Sequence, residues 1–161
     1  MDRRDKINYY LDIADTVSER STCMRLHYGA IIVQSDEIVA TGYNGAPRGR
    51  KNCDELGVCL RQKLGIPSGE RYELCRSVHA EANAIISAAR RETIGADLYL
   101  ACRDAATNQV LAGRSSCSMC RRLIINAGIK RVFIRETPDT YSVVNVAEDW
   151  IDGDDSLPPL D

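Results

Sequence analysis

Two short clusters in this 161-residue sequence combine residue types that bind metal ions and move protons. They are His79-Ala80-Glu81 and Cys117-Ser118-Met119-Cys120. Each is predicted to lie where a helix begins, and the partial positive charge there favours thiolate over thiol. The two cysteines are three residues apart, so both sulfur atoms face the same side of the helix. One imidazole and two thiolates leave the fourth position of a tetrahedral zinc ion open, which is typical of a catalytic site.

Glu81 is the residue that would move protons at such a site. It follows His79 by two residues, so its carboxylate can reach the open position without binding the metal. Zinc lowers the pKa of a bound water to roughly 7. A carboxylate beside that water can accept the proton and deliver it to a reacting molecule.

Length and composition indicate one ordinary globular domain spanning residues 1–161. Hydrophobic residues make up 44% and charged residues 27%, and the net charge of −2 gives no electrostatic reason to expect a nucleic-acid partner. The sequence opens without a signal peptide and has no apolar stretch long enough for a membrane span, which predicts a soluble, cytoplasmic protein. In that setting seven cysteines are more consistent with metal ligands and buried thiols than with a disulfide framework.

The elements that must position these clusters follow from the periodicity of apolar residues. The pattern predicts helices over residues 5–19, 80–91 and 117–127, and strands over residues 29–34, 38–43, 97–102, 131–135 and 143–146. Residues 44–76 are rich in Gly, Pro and charge and are predicted to form a functional or metal-stapled loop. This alternation indicates an α/β fold with a mixed sheet. The acidic end from about residue 152 is predicted to fray, with Trp150 as the last packing anchor.

The motifs resemble those of a known family. The stretch His79–Ile85 is similar to the zinc motif of the cytidine and deoxycytidylate deaminase superfamily. The segments that resemble its deoxycytidylate (dCMP) deaminase branch are Ser21-Thr22-Cys23, Gly29–Val33, Gly42–Pro47 and Leu123–Ile129. Together they cover most of residues 20–135.

The resemblance implies a cytidine deaminase-like three-layer α/β/α fold with a central mixed β-sheet, and a helix on each side that supplies zinc ligands. It implies a hydrolytic deaminase that converts dCMP to dUMP and ammonia, with zinc on His79, Cys117 and Cys120 and with Glu81 as the proton carrier. It also implies a homo-oligomer, and dCTP and dTTP as effectors.

Four other cysteines, Cys23, Cys53, Cys59 and Cys75, allow two interpretations. They are either ordinary buried or half-exposed thiols, or the ligands of a second, structural zinc that holds residues 44–76 to the first helix. The resemblance favours the second zinc, because some dCMP deaminases carry one near these positions. Cys102 continues a strand and is predicted to be a core residue.

Further residues are candidates for contact with a nucleotide. Asn44 belongs either to a tight turn or to a nucleotide site. Arg25 is one of several cations that could hold a phosphate, or else a solvated charge, and Tyr99 is predicted to stack on the base. The full candidate set is Arg25, Asn44, Ser77, Val78, Ala80 and Tyr99.

Other functions remain open at this stage. The substrate could be cytidine, dCTP or adenosine in tRNA, although a polymer substrate requires a basic surface and the net charge is slightly acidic. A zinc-stapled nucleotide-binding module without activity is a further alternative, and the presence of Glu81 argues against it. Two departures from the family pattern bear on the pocket: Ser116 stands where the family usually has proline, and residues 103–116 form a long connection.

Overall fold

The computed structural model describes residues 2–154 and is built on one five-stranded mixed sheet. Its strands lie in the order β2-β1-β3-β4-β5, and only β3 and β4 run parallel. The strand bounds are β1 Leu26–Gln34, β2 Glu37–Tyr43, β3 Asp97–Asp104, β4 Arg131–Thr137 and β5 Thr140–Asn145. The strands predicted from alternation are therefore all present, each longer than predicted, and the mixed α/β fold is confirmed.

One face of the sheet is covered by the first helix, α1, which spans Lys6–Ser18. The Asp5 carboxylate caps it by accepting the backbone N–H of Asn8 at 3.0 Å. Leu11 and Ala14 are fully buried, and they pack with Ile31 and other side chains of the same sheet face. The spacing of apolar residues that predicted this helix therefore corresponds to the side chains it buries against the sheet.

The opposite face carries both helices that hold the metal-binding clusters. These are α4, Ala80–Ser87, and α6, Ser118–Asn126. Ala84 of α4 and Ile124 of α6 belong to one core cluster with Leu98 and Leu100 of β3. The expectation of a ligand-bearing helix on each side of the sheet is therefore wrong. Two N-termini can share one metal ion only if they lie side by side.

Two glycines set how closely helices approach the sheet. A Cβ at Gly29 would lie 2.0 Å from the carbonyl oxygen of Ala14 in α1, and one at Gly42 would lie 2.4 Å from that of Ala80 in α4. Only a residue without a side chain fits at either contact.

Residues 44–76 contain little regular structure. They include two single-turn helices, α2 at Cys53–Leu56 and α3 at Leu60–Lys63, and a 3₁₀ turn at Tyr72–Leu74. Val78 then pairs with Gly45 through two backbone hydrogen bonds of 2.7 and 3.2 Å. This pairing returns the chain to the end of β2, directly before His79.

The helix predicted over residues 80–91 is interrupted. Helix α4 ends at Ser87, and a further turn, α5, spans Arg90–Thr93. The break occurs because Ala89 adopts extended backbone and donates its N–H to the Glu92 carboxylate at 2.7 Å, which starts a new turn.

The last described element is a π-helix at Val146–Asp152. Trp150 packs against the core cluster of the α4–α6 face, which confirms it as an anchor. The tail predicted to fray lies largely outside the described residues. None of the helices within residues 2–154 is both long and apolar enough to cross a membrane.

Candidate metal centre and active site

His79, Cys117 and Cys120 converge at the N-termini of two adjacent helices. His79 is the N-cap residue of α4, and Cys117 is the N-cap residue of α6. The Nδ1 atom of His79 lies 3.5 Å from the Sγ atom of Cys117 and 3.4 Å from that of Cys120. Within residues 2–154, this is the single set of three or more His, Cys, Asp or Glu ligand atoms that all lie within 4.8 Å of one another.

These distances fit zinc. With bonds of roughly 2.3 Å to sulfur and 2.0 Å to nitrogen, tetrahedral geometry places the sulfur and nitrogen ligand atoms about 3.5 Å apart. The observed separations of 3.4 and 3.5 Å match that edge length without any side-chain movement. The set also holds no fourth protein ligand among the described residues, so one position is left for a water or substrate atom.

Glu81 lies in the first turn of α4 with 3% of its surface exposed. Burial raises the pKa of its carboxyl group, while its own backbone N–H and the nearby Ser116 hydroxyl act in the opposite direction. A carboxylate with a raised pKa is a better proton acceptor than an exposed one. It lines the same cavity as His79 and Cys117, as its predicted role requires.

The charges of the metal-free cluster favour the pairing of a thiolate with an imidazolium. Hydrogen bonding to the Cys117 thiol raises the pKa of His79 to about 10. The pKa of Cys117 is lowered, first by the neighbouring Cys120 thiol and then by His79, although burial opposes the change. The pKa of Cys120 is raised because its neighbour Cys117 already carries the negative charge.

The cluster opens into a cavity of about 280 Å³. Three of the predicted nucleotide contacts, Arg25, Asn44 and Ser77, line it. The Ser77 hydroxyl is buried beside Cys53, and hydrogen bonding to it opposes the rise that burial causes in the pKa of that thiol.

Asn44 has a structural role as well as a place in the lining. Its Oδ1 atom accepts the Ser21 hydroxyl at 2.6 Å and the backbone N–H of Tyr28 at 2.8 Å. Its Nδ2 atom donates to the carbonyl oxygen of Leu26 at 2.8 Å. The tight turn is not observed, because Gly45 pairs with Val78 and the Asn44 side chain joins the end of β2 to β1. One amide hydrogen of Asn44 has no partner among the described residues, and contact with a nucleotide stays a prediction.

Val78 and Ala80 flank the metal-binding histidine but do not line the cavity. Val78 acts through its backbone pairing with Gly45. Ala80, the first residue of α4, is fully buried in the core between this helix and the sheet. Both positions hold His79 in place, and their predicted contact with a nucleotide is not supported.

The prediction for Tyr99 is wrong. Tyr99 lies on the α1 face of the sheet, 4% exposed, where its ring stacks on Phe133 at a centroid distance of 4.8 Å. The metal-binding cluster is on the other face. Side chains alternate along β3, so Leu98 and Leu100 point towards α4 and α6 while Tyr99 points away from them.

The four remaining cysteines do not assemble into a metal site. Cys23, Cys59 and Cys75 line the cavity and Cys53 is buried, but no three of their sulfur atoms come within 4.8 Å of one another. The predicted four-thiolate zinc therefore has no support in this geometry. Cys102 is 1% exposed on β3, as predicted for a core residue.

Sequence reasoning missed several residues that line the cavity, among them Tyr28, Tyr72 and Arg114. Tyr28 pairs with Cys102 across β1 and β3, and burial raises the pKa of its hydroxyl. A strand predicted to start at Leu26 instead of Gly29 would have placed Tyr28 on the same face as Ala30. Tyr72 and Arg114 lie in irregular segments, where no periodicity indicates direction.

The two departures from the family pattern both affect this site. Ser116 is 3% exposed, and its carbonyl oxygen accepts the Arg121 side chain at 3.0 Å, which fixes the entry to α6 without a proline. The long segment before it contributes Gly113, Arg114 and Ser115 to the cavity lining. The segment thus forms part of the pocket rim.

Comparisons with known proteins agree with this arrangement of fold and site. Residues 4–136 match the model of the cytidine and deoxycytidylate deaminase zinc-binding region. The chain therefore belongs to the cytidine and deoxycytidylate deaminase family, a family of zinc-dependent deaminases.

Several relatives are named deoxycytidylate deaminase. The chain is 37% identical over 137 residues to that of Mycobacterium phage D29, covering 82% of this chain and 95% of the relative. It is 34% identical over 125 residues to that of Schizosaccharomyces pombe, but covers only 35% of that longer protein and 78% of this chain. It is similar to the crystal structure of the cyanophage S-TIM5 dCMP deaminase with dCMP and dUMP, with a TM-score of 0.56, 25% identity and 84% of each chain covered.

Proposed function

We propose that this chain catalyses the hydrolytic deamination of dCMP to dUMP and ammonia. The observation that carries the proposal is the open His79, Cys117 and Cys120 group in one cavity with the buried carboxyl group of Glu81. The deoxycytidylate deaminases among its relatives support the choice of nucleotide.

The reaction replaces the exocyclic amine of cytosine with the oxygen of water. His79, Cys117 and Cys120 would hold a zinc ion, which would supply Lewis-acid activation of a water molecule at neutral pH. Glu81 accepts a proton from that water and delivers it to the ring nitrogen beside the amine-bearing carbon. It then carries the second proton of the water to the amine, which leaves as ammonia.

The charges of the cavity support a phosphorylated substrate. Three arginines, Arg25, Arg61 and Arg114, line it, and Glu81 is the single carboxylate that residues 2–154 contribute to the lining. Arg61 is held by backbone carbonyl groups, whereas the guanidinium groups of Arg25 and Arg114 bond to no other residue within the described part of the chain. Two cations without a protein partner in that part of the chain bind a charged phosphate more strongly than the neutral hydroxyl and carbonyl groups of a nucleoside.

Homo-oligomer formation is part of the proposal. Ile86 on α4 and Leu123 on α6 are 74% and 42% exposed on two helices that contact each other. Exposed apolar residues on adjacent helices are typical of a surface that pairs with another copy of the chain.

Regulation by dCTP and dTTP is supported by the family resemblance alone. Light scattering with and without each triphosphate tests both the homo-oligomer and its response to the triphosphates.

The deciding experiment measures ammonia release from dCMP, CMP, dCTP, deoxycytidine and cytidine by the zinc-loaded protein. We expect the highest kcat/KM with dCMP. Equal turnover of deoxycytidine and dCMP would contradict the phosphate assignment. Inactivity on all five with zinc bound would favour adenosine in RNA or a binding module, which a salt titration of tRNA binding separates.

A further inference from the structure

The irregular residues 57–75 form one wall of the cavity and contact the metal-binding histidine from it. The ring of Tyr72 meets the imidazole of His79 at an interplanar angle of 87°, with ring centroids 5.1 Å apart. This edge-to-face arrangement is a favourable geometry for two aromatic rings. The imidazole is thus held between the thiols of Cys117 and Cys120 at its Nδ1 atom and the ring of Tyr72.

Tyr72 is itself held by a buried cation. The guanidinium carbon of Arg61 lies 4.3 Å from the centroid of the Tyr72 ring. Arg61 is only 5% exposed, and it donates to the carbonyl oxygens of Glu70 at 3.0 Å and Pro67 at 2.9 Å. No carboxylate of the described residues pairs with this buried guanidinium, so the carbonyl groups and the ring face stabilise it.

Tyr72 also bonds to the segment whose carbonyl groups hold Arg61. The Tyr72 hydroxyl accepts a hydrogen bond from the backbone N–H of Gly69 at 3.2 Å. Gly69 lies in sequence between Pro67 and Glu70, whose carbonyl oxygens accept hydrogen bonds from Arg61. The Arg61–Tyr72 pair is therefore the packing centre of residues 57–75 as well as a neighbour of His79.

We propose that Arg61 and Tyr72 are positioning residues that hold the His79 imidazole in its metal-binding orientation, so that zinc loading and the ordering of residues 57–75 are coupled. The mechanism is preorganisation: an imidazole already fixed in direction loses less conformational freedom when it binds the metal. The inference rests on zinc binding by this cluster and is independent of which nucleotide is deaminated.

The first test measures how fast zinc leaves the protein to a chelator, for wild type, Tyr72→Leu, Tyr72→Phe and Arg61→Met. We expect Tyr72→Leu and Arg61→Met to lose zinc on the order of 10-fold faster, as for other residues that orient a metal ligand. Tyr72→Phe keeps the ring and removes the bond to Gly69, so it should retain the wild-type rate. Leu64→Ala is the matched control, because Leu64 is in the same wall and 58% exposed.

The second test uses readouts that general destabilisation does not change in the same way. The visible spectrum of the cobalt-substituted protein should change in Tyr72→Leu and stay the same in Tyr72→Phe and Leu64→Ala. Zinc should slow tryptic cleavage after the exposed Lys63 and Arg71 in wild type but not in Tyr72→Leu.

The proposal would be overturned if Tyr72→Leu released zinc at the wild-type rate and kept the wild-type cobalt spectrum. It would also be overturned if Tyr72→Phe and Tyr72→Leu lost zinc equally fast, because the hydroxyl and not the ring would then matter. Wild-type behaviour of Arg61→Met would remove Arg61 from the pair. Loss of deaminase activity on every nucleotide would test only the proposed function, since zinc release is measured without substrate.

Discussion

Tyr28 and Tyr99 lie on neighbouring strands of the sheet and point to opposite faces. Tyr28 lines the cavity with Glu81, and Tyr99 stacks on Phe133 beneath α1. The strand pairing opposes Tyr28 to Cys102 and Tyr99 to Ile31, which fixes the two directions. One aromatic residue therefore belongs to the reaction site and the other to the core.

Tyr99 is expected to contribute to stability and not to turnover. Its hydroxyl makes no hydrogen bond within the described residues, so Tyr99→Phe should change the free energy of unfolding by about 0.5 kcal/mol or less. Tyr99→Ala should cost about 3–5 kcal/mol because it empties a packed aromatic site. Urea unfolding measures both. A fall in kcat for Tyr99→Phe would contradict the placement of Tyr99 away from the substrate.

Glu81→Gln should retain zinc and lose turnover. Removal of a general acid–base group costs roughly 10²–10⁴-fold in kcat, and the amide is close in size to the buried carboxyl group. Ammonia release and zinc content are measured on the same sample. Glu37→Gln is the matched control, since Glu37 is exposed on β2. Normal turnover by Glu81→Gln would mean that another group carries the protons.

Arg114→Gln and Arg25→Gln should raise KM for dCMP and leave deoxycytidine unaffected. A hydrogen bond to a charged group contributes about 1.5–3 kcal/mol, which corresponds to roughly 10–100-fold in affinity. Arg48→Gln serves as the control, because Arg48 is exposed and outside the cavity lining. If both substrates respond equally, the two arginines do not bind the phosphate.

Metal analysis should find one zinc per chain, lost in Cys120→Ala and unchanged in Cys53→Ser. The reason is that the described residues form a single three-ligand group, and Cys53 is not part of it. Inductively coupled plasma spectrometry gives the count. Two zinc ions per chain, one of them lost in Cys53→Ser, would restore the four-thiolate site.

Zinc affinity should increase with pH. The pKa of His79 in the metal-free cluster is raised to about 10 by hydrogen bonding to Cys117, so the imidazole is protonated near neutral pH and must lose its proton when it binds zinc. Binding is therefore weakened at low pH and strengthens as pH approaches that pKa. Calorimetry in buffers of different ionisation enthalpy should show at least one proton released per zinc. No proton release would contradict the raised pKa.

The convergence of His79, Cys117 and Cys120 could be predicted from the sequence because their positions depend on local structure. Helix starts at His79 and Cys117 fix the direction of each ligand, and a three-residue spacing aligns Cys117 with Cys120. The sheet followed from alternation for the same reason. These features depend on a few consecutive residues.

The residues around the metal were harder to predict because their directions depend on register and on contacts distant in sequence. Tyr99 was assigned to the wrong face, since alternation gives two faces but does not say which one carries the site. Tyr72 reaches His79 only through the fold of residues 57–75, which has no periodic pattern. The cysteine count and the family resemblance together suggested a second zinc, but its four proposed ligands do not form a close group within the described residues.

Gly42 lies on the edge strand β2 and affects the candidate active site although it does not line the cavity. Its missing side chain leaves room for the carbonyl oxygen of Ala80, the residue between His79 and Glu81. A single methyl group at position 42 would push on that peptide and shift both functional side chains together. Impaired variants of this enzyme can therefore arise at a strand residue that touches neither metal nor nucleotide.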